Sequence, residues 1–328
     1  MLEASTADRD RPPACLFDDP RWTRTLANYY GLDLRSVKTP RGHSLPYTLL
    51  GEGSQARVVA FPFSDYLPLE DVEEVESVAA SLRERHPQAE VLLKTCLPHE
   101  VQLAGAQVVR RAVLHVIHAD RGGPSAKFKA NSRRAQRDGV TARRAIDPGA
   151  VGRFYSLYAA LRIAKFGSLP QPLGFFRAVF DAFAADGSSF FLEAVYEGSV
   201  IASFLIVVKG SRAFYKFGAS SLDALVPKPN NLLFVELHGG LAEGHYDAID
   251  LGLSGTGESY AGLRYFKRSA GGEESPITYL RWRPEGFDPE PQATLRAALG
   301  KVVDEIVEAD LTPEQLDRLS RAIYPHFA

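Results

Sequence analysis

From Val37 to Phe63, short apolar runs (LPYTLL, ARVVAF) alternate with glycine-containing breaks (RGH, GEGS). Apolar runs of strand length bounded by turn residues predict antiparallel strands. Val72, Val75, Val78, Ala79 and Leu82 then recur at helical spacing, which predicts a helix from about Glu70 to Arg85. VLLK and VVRRAVLHVIHA read as two more strands, so the first half is β-rich with one covering helix. Ser125 as N-cap and Gly139 as stop predict a helix over KFKANSRRAQRD.

Farther along, Phe154, Leu157, Tyr158 and Leu161 stripe a helix from Pro148 to Lys165. Phe176, Val179, Phe180 and Phe183 do the same from Leu173 to Ala184. SFFLEAVYEG, SVIASFLIVVKG and SRAFYKFGAS predict an antiparallel meander turning at Glu197-Gly198 and Lys209-Gly210. A helix over Asn230–Glu243, the buried strand DAIDLGLS, the segment GLRYFKRSAGG and the strand SPITYLRW follow. Helices near Gln292–Glu308 and Pro313–Tyr324 close the chain. Residues 1–20, polar and rich in Pro and Asp, read as a loose lead-in, with order beginning near Trp22.

The 328 residues are 45% hydrophobic and 24% charged, enough for two domains with sizeable cores. No apolar run is long enough for a membrane span, and MLEASTADRDRPPA lacks the apolar centre of a secretory signal, so a cytoplasmic protein is expected. Cys15 and Cys96 form no CxxC, and the histidines form no metal-ligand spacing; no metal site is expected. The net charge of −2 leaves nucleic-acid contact to a local patch. One is present: residues 127–144 hold seven Lys or Arg against a single acid, Asp138. Within it Lys129, Arg133 and Arg137 fall at i, i+4 and i+8 on one helix face, either a solvated surface or a phosphate-binding stripe.

Strand meander, helix, strand, helix, strand is the element order of the GNAT acyltransferase fold. FKANSRRAQRDGV, the helix pair around FYSLYAALRIAKFG, PNNLLFVELHGGLAEGHYDAIDLGLS and GLRYFKRSAGG, in that order, resemble the FemABX group and its FemAB-like acetyltransferase relatives. FPFSDYLP, residues 61–68, resembles the first-domain loop of the same group. The resemblance implies an α/β protein of two fused GNAT-like domains, each a mixed, mainly antiparallel sheet flanked by helices. The expected divisions are residues 1–20 as lead-in, 21–145 as the N-terminal domain and 146–328 as the C-terminal catalytic domain with closing helices.

The resemblance further implies an N-acyltransferase that forms an amide bond. The expected donor is aminoacyl-tRNA, gripped by Lys129, Arg133 and Arg137, and the acceptor a small-molecule or cell-envelope amine. No tightly bound cofactor is expected. Phe266 and Lys267 match the group's FK pair, which puts Lys267 near the reacting carbonyl, with Tyr265 and Phe266 excluding water and holding its stem. An ammonium fixed at low dielectric stabilises the tetrahedral oxyanion of aminolysis. Ser64 and Tyr66 of the first-domain loop are expected to bind substrate; Asp65 between them reads either as a group that orients or deprotonates the acceptor amine or as a turn cap. Tyr215 and Lys216 line the cleft or pack the sheet. Glu236 is a site carboxylate or a structural ion-pair partner, and Asp250 and Ser254 are substrate contacts or strand-end caps.

One departure bears on the donor. GNAT enzymes that use coenzyme A show a [QR]xxGx[GA] loop whose backbone N–H groups bind pyrophosphate at a helix N-terminus. The corresponding SLDALVPKPNNLL has no glycine and two prolines, which lack that donor. A usual coenzyme A site is therefore expected to be impaired. Acyl-CoA stays open as the alternative donor, and a non-catalytic GNAT-like binding module as the alternative to an enzyme.

Overall fold

The computed structural model describes residues 15–60, 63–222, 228–309 and 311–327. Residues 1–14 of the expected lead-in lie outside the described residues, and residues 15–20 of it are part of the fold. Cys15, Leu16 and Phe17 are buried, with the Phe17 ring edge-on to Trp22, Tyr66 and Phe214. Helix α1 (Pro20–Tyr30) starts there, its first turn capped by the Asp19 side chain and opened by a proline that has no N–H to leave unpaired.

The predicted hairpin strands are β1 (Leu34–Lys38), β2 (Ser44–Leu50) and β3 (Arg57–Ala60). Helix α2 (Val72–Arg85), capped by Asp71, precedes β4 (Glu90–Thr95) and β5 (Gln107–His118). Helix α3 (Ala126–Arg137) has the predicted cap: the Ser125 side chain accepts from Phe128 N, and Gly139 follows at φ +91°. Strand β6 (Thr141–Ala145), α4 (Ala150–Phe166) and α5 (Leu173–Ala184) lead to the meander β7 (Ser189–Tyr196), β8 (Ser199–Lys209) and β9 (Arg212–Ser220). The second meander turn is Gly210-Ser211, one residue later than expected. Then come α6 (Pro229–Ala242), β10 (Ala248–Gly255), α7 (Ala261–Ser269), β11 (Glu273–Trp282), α8 (Glu290–Glu308) and α9 (Pro313–Ile323). Among the described residues no helix is long and apolar enough to cross a membrane.

Eleven strands form one sheet in the order β1-β2-β3-β4-β11-β5-β10-β9-β8-β7-β6. Side chains alternate across a strand, and both faces are covered. Phe191, Leu205 and Val207 enter the core beneath α4 and α5, while Phe190, Leu192, Phe204 and Ile206 face α6. That is why β7 and β8 read as continuous apolar runs. The expected division at 145/146 falls between β6 and α4, yet β6 pairs with β7 and α3 packs on α6, so both go with the second half. Strand β11 in turn lies between β4 and β5 of the first half. The two halves of the chain thus share one continuous sheet.

Candidate active site

Near the middle of the sheet two neighbouring strands separate. β10 pairs in parallel with β9 from Ala248 to Asp250, and beyond Asp250 and Phe214 no pair joins them among the described residues. On its other side β10 pairs with β5, and that register shifts between Asp250 and Leu253. The shift is a bulge, made possible by Gly252 at φ +68°. Asp250 Oδ1 accepts from Gly252 N at 2.7 Å and Oδ2 from the Tyr66 hydroxyl at 2.7 Å, so one buried carboxylate shapes the bulge and ties it to the first half.

The bulge turns two carbonyls toward α7. Lys267 Nζ donates to Gly252 O at 3.0 Å and to Leu253 O at 2.8 Å, and the residue is only 5% exposed. Burial lowers the Lys267 pKa to about 8, with Asp65 and Asp250 pulling the other way. Gly272 lets β11 begin directly against α7, since a Cβ there would sit 2.9 Å from Lys267 O. The double glycine after the lysine is a packing requirement.

Helix α7 is clamped from β11. Glu274 accepts from Arg264 at 3.0 and 2.6 Å and from Arg268 at 2.8 Å, one turn apart on either side of Lys267. It also meets His115 Nε2 at 3.1 Å. His115 lies on β5 opposite the bulge; burial, and then the Lys267 charge, lower its pKa to about 4, so it is neutral. Arg264, with Arg268, holds the Glu274 carboxyl down at about 2. Its stabilising contribution is therefore present above about pH 4.5 and lost as pH falls through about 2. Glu274→Gln is expected to cost about 1–2 kcal/mol at neutral pH. Urea unfolding near neutrality and near pH 3 checks this; the variant should show a shallower acid loss than the wild type.

The loop after β3 closes the site from the first half. Asp65 Oδ1 pairs with Lys216 Nζ at 2.9 Å, and Oδ2 faces the bulge, 3.6 Å from where a Gly252 Cβ would stand. Ser64 O accepts from Lys94 Nζ at 2.7 Å, and Ser64 Oγ accepts from Trp22 Nε1. Lys216 Nζ lies over the rings of Phe17 and Trp22 at 4.6 and 5.4 Å. Three ammoniums, on Lys94, Lys216 and Lys267, therefore surround the Asp65 carboxylate where the two halves meet.

With this geometry in view, residues 125–268 match the acetyltransferase (GNAT) domain family. Among solved structures, FemX superposes with a TM-score of 0.61 at 13% identity, covering 90% of this chain and 98% of FemX. L-PGS from Bacillus licheniformis superposes with a TM-score of 0.53 at 13% identity, covering 90% of this chain and 99% of that one. The chain has the fold of FemX, and its residues 125–268 match the GNAT acetyltransferase domain family. No curated protein matches its sequence significantly.

In this FemX-like fold Lys267, Asp65, Lys216, Ser64 and Tyr66 come together, and the other expected site residues divide. Asp250 is 2% exposed and fully engaged by Tyr66 and Gly252; it shapes the bulge and is closed to a substrate. Ser254 is buried and its Oγ has no hydrogen-bond partner among the described residues. Tyr215 packs on Phe204 and Phe234 beneath α6, on the opposite side of the sheet from Lys216. Phe266 packs on Phe128 and Phe234, and Tyr265 is 58% exposed, so neither holds the Lys267 stem. Glu236 is exposed in a separate cavity of about 540 Å³ with Arg144 and His245. Lys129, Arg133 and Arg137 are exposed along α3. Phe61, Pro62 and residues 223–227 of the proline-bearing loop lie outside the described residues.

Sequence reasoning missed Lys94, His115 and Glu274. A signal for the first two was present: each is a polar residue inside an apolar strand run, VLLK and AVLHVIH, where an unpaired polar group is costly.

Proposed function

We propose that the protein forms amide bonds by moving an acyl group onto an amine, with Lys267 at the acyl carbonyl and Asp65 at the amine. The observation that carries this reading is the Lys267 ammonium, buried beside Asp65 where β9 and β10 separate and held on two backbone carbonyls. An ammonium has three N–H donors. Two are spent on the bulge, and the third serves the carbonyl oxygen as it becomes an oxyanion. The amine nitrogen attacks the carbonyl carbon, and its proton passes to Asp65 Oδ2. As the tetrahedral species collapses, the carbon–oxygen bond of an ester donor or the carbon–sulfur bond of a thioester breaks. The departing alkoxide or thiolate takes up the proton that Asp65 received, which returns Asp65 to its carboxylate.

The donor we favour is aminoacyl-tRNA, held through Lys129, Arg133 and Arg137, which α3 presents to solvent in a row of about 12 Å. Acyl-CoA is the second reading, and a specific observation favours it. A cavity of about 370 Å³ opens at the N-terminus of α6, lined by Lys127, Lys228, Asn230 and Asn231, with Tyr265 and Phe266 across from them. Phosphates bind at such helix ends. Both donors would use α3 as a wall, since Lys127 and Asn131 line the cavity too. Incubation with labelled charged tRNAs and labelled acyl-CoAs, followed by recovery of labelled amide, separates the two. Transfer from neither would leave a binding module and end the catalytic reading.

A pH dependence follows. The Lys267 ammonium is present below about pH 8 and lost above it. The single-turnover rate should therefore fall above about pH 8, whatever rise the acceptor amine adds at lower pH. Rates measured from about pH 6 to 10 check this, and Lys267→Arg should displace the falling limb upward. A limb unmoved by that substitution would assign it to another group.

A further inference from the structure

Tyr279 on β11 pairs across one ladder with Lys94 on β4 and across the other with Arg110 on β5. Direct cross-strand partners project to the same face. Lys94, Tyr279 and Arg110 therefore form a row across the centre of the sheet, cation, ring, cation. Lys94 Nζ is 5.6 Å and the Arg110 guanidinium carbon 5.4 Å from the Tyr279 centroid.

The row adjoins the Asp65 loop. Lys94 Nζ donates to Ser64 O, and the Asp65 carboxylate acts on Lys94 and on Tyr279 as it does on Lys267. Asp65 cannot neutralise the row, because its Oδ1 is already paired with Lys216. Among the described residues no carboxylate lies within ion-pair distance of Lys94 or Arg110. Burial lowers the Lys94 pKa to about 8, with the Asp65 charge offsetting part of that and the Lys216 and Arg110 charges adding to it. Lys94 is half-buried, and its charge is costly to hold there unless an anion joins it. The fold supplies two donors left on Lys94 and the planar fork of Arg110 on either side of a ring.

We propose that Lys94, Tyr279 and Arg110 form the subsite for an oxyacid group, carboxylate or phosphate, that the acceptor carries close to its amine. The inference rests on the amide-forming reading, in which the amine lies at Asp65. The acceptor class is then a zwitterionic amine, such as an amino acid, a peptide with a carboxylate near its amine, or a phosphorylated amino alcohol. A simple alkylamine lacks the group the row is built to hold.

Calorimetric titration of the full chain with two matched pairs tests this: phosphoethanolamine against ethanolamine, and β-alanine against propylamine. The anionic member should bind about tenfold tighter or better than its neutral mate, the gain expected of charge-assisted hydrogen bonds. The pair with the larger ratio tells phosphate from carboxylate. Lys94→Met and Arg110→Gln should bring that ratio toward one, and Arg110, being exposed, can be replaced without threatening the fold. Equal binding within both pairs, no binding of either anionic member, or a ratio that survives both substitutions would overturn the proposal. If the ratio is found but no donor is ever transferred to these amines, the amide-forming reading fails while the anion subsite stands.

Discussion

Lys267→Met should slow the acyl-transfer step by about 100-fold or more, because one preorganised oxyanion donor contributes about 2.7 to 4 kcal/mol to the transition state. From the sequence alone, Met would look harmless to the fold, since it keeps the apolar stem. The structure says otherwise. The substitution also strips Gly252 O and Leu253 O of their partner inside a buried bulge, which should cost about 1–3 kcal/mol of stability. The two effects need separate measurement. Urea unfolding gives the stability loss, and single-turnover kinetics at saturating donor gives the chemical loss on protein that is still folded. Tyr66→Phe supplies the comparison: it loosens the same bulge through Asp250 but leaves the ammonium in place. If a slack bulge were the whole cause, Tyr66→Phe would reproduce the slow rate. An unchanged rate in folded Lys267→Met would make the lysine a prop for the bulge and remove it from the chemistry. Arg should keep the charge and part of the rate but not the geometry, its planar fork being too wide for two adjacent carbonyls.

Elements whose ends are written in neighbouring residues were legible. Helix α3 lies between its Ser125 cap and Gly139 stop, and α5 runs over the predicted Leu173–Ala184 because its Phe and Val positions recur at helical spacing. What depends on distant partners was not legible. Nothing in SPITYLRW says that β11 will lie between β4 and β5, because strand order is a property of the whole sheet. The burial of Cys15–Phe17 escaped notice since three apolar residues in a polar stretch carry no periodicity.

The site follows the same division. The charge at Lys267 was readable from GLRYFKRSAGG, but not its seat, which needs Asp250 to fold back on Gly252 and Tyr66 to arrive from far along the chain. One error was avoidable. Tyr215 and Lys216 are successive strand residues, which ordinarily point to opposite faces, and they still diverge although β9 is irregular at Lys216, with Ile206 paired to Tyr215 and Leu205 to Phe217. Tyr215 indeed packs beneath α6 while Lys216 reaches Asp65. Glu236 is set apart by its place: it is exposed at the rim of the α6 apolar stripe and lines the separate cavity with Arg144 and His245.

Reversing Lys129, Arg133 and Arg137 to Glu should weaken binding of charged tRNA by about 100-fold near 0.1 M salt and flatten its salt dependence. Each phosphate neutralised releases condensed counterions, contributing about 0.7 to 0.9 to the slope of log affinity against log salt, so three lost contacts should reduce it by about two to three. The fold should be nearly indifferent. All three side chains are exposed, and their effects on the α3 dipole partly cancel: a Glu in the first turn at position 129 is favourable, one in the last turn at 137 unfavourable. Filter binding across a salt series, with melting curves alongside, reads both. The acyl-CoA reading makes the opposite forecast, because none of the three lines the cavity at the α6 N-terminus while Lys127 and Lys228 do. There the triple variant should keep its donor KM and Lys228→Glu should raise it. A tRNA affinity unmoved by charge reversal and insensitive to salt would leave the α3 stripe as a solvated helix face and shift the donor to the cavity.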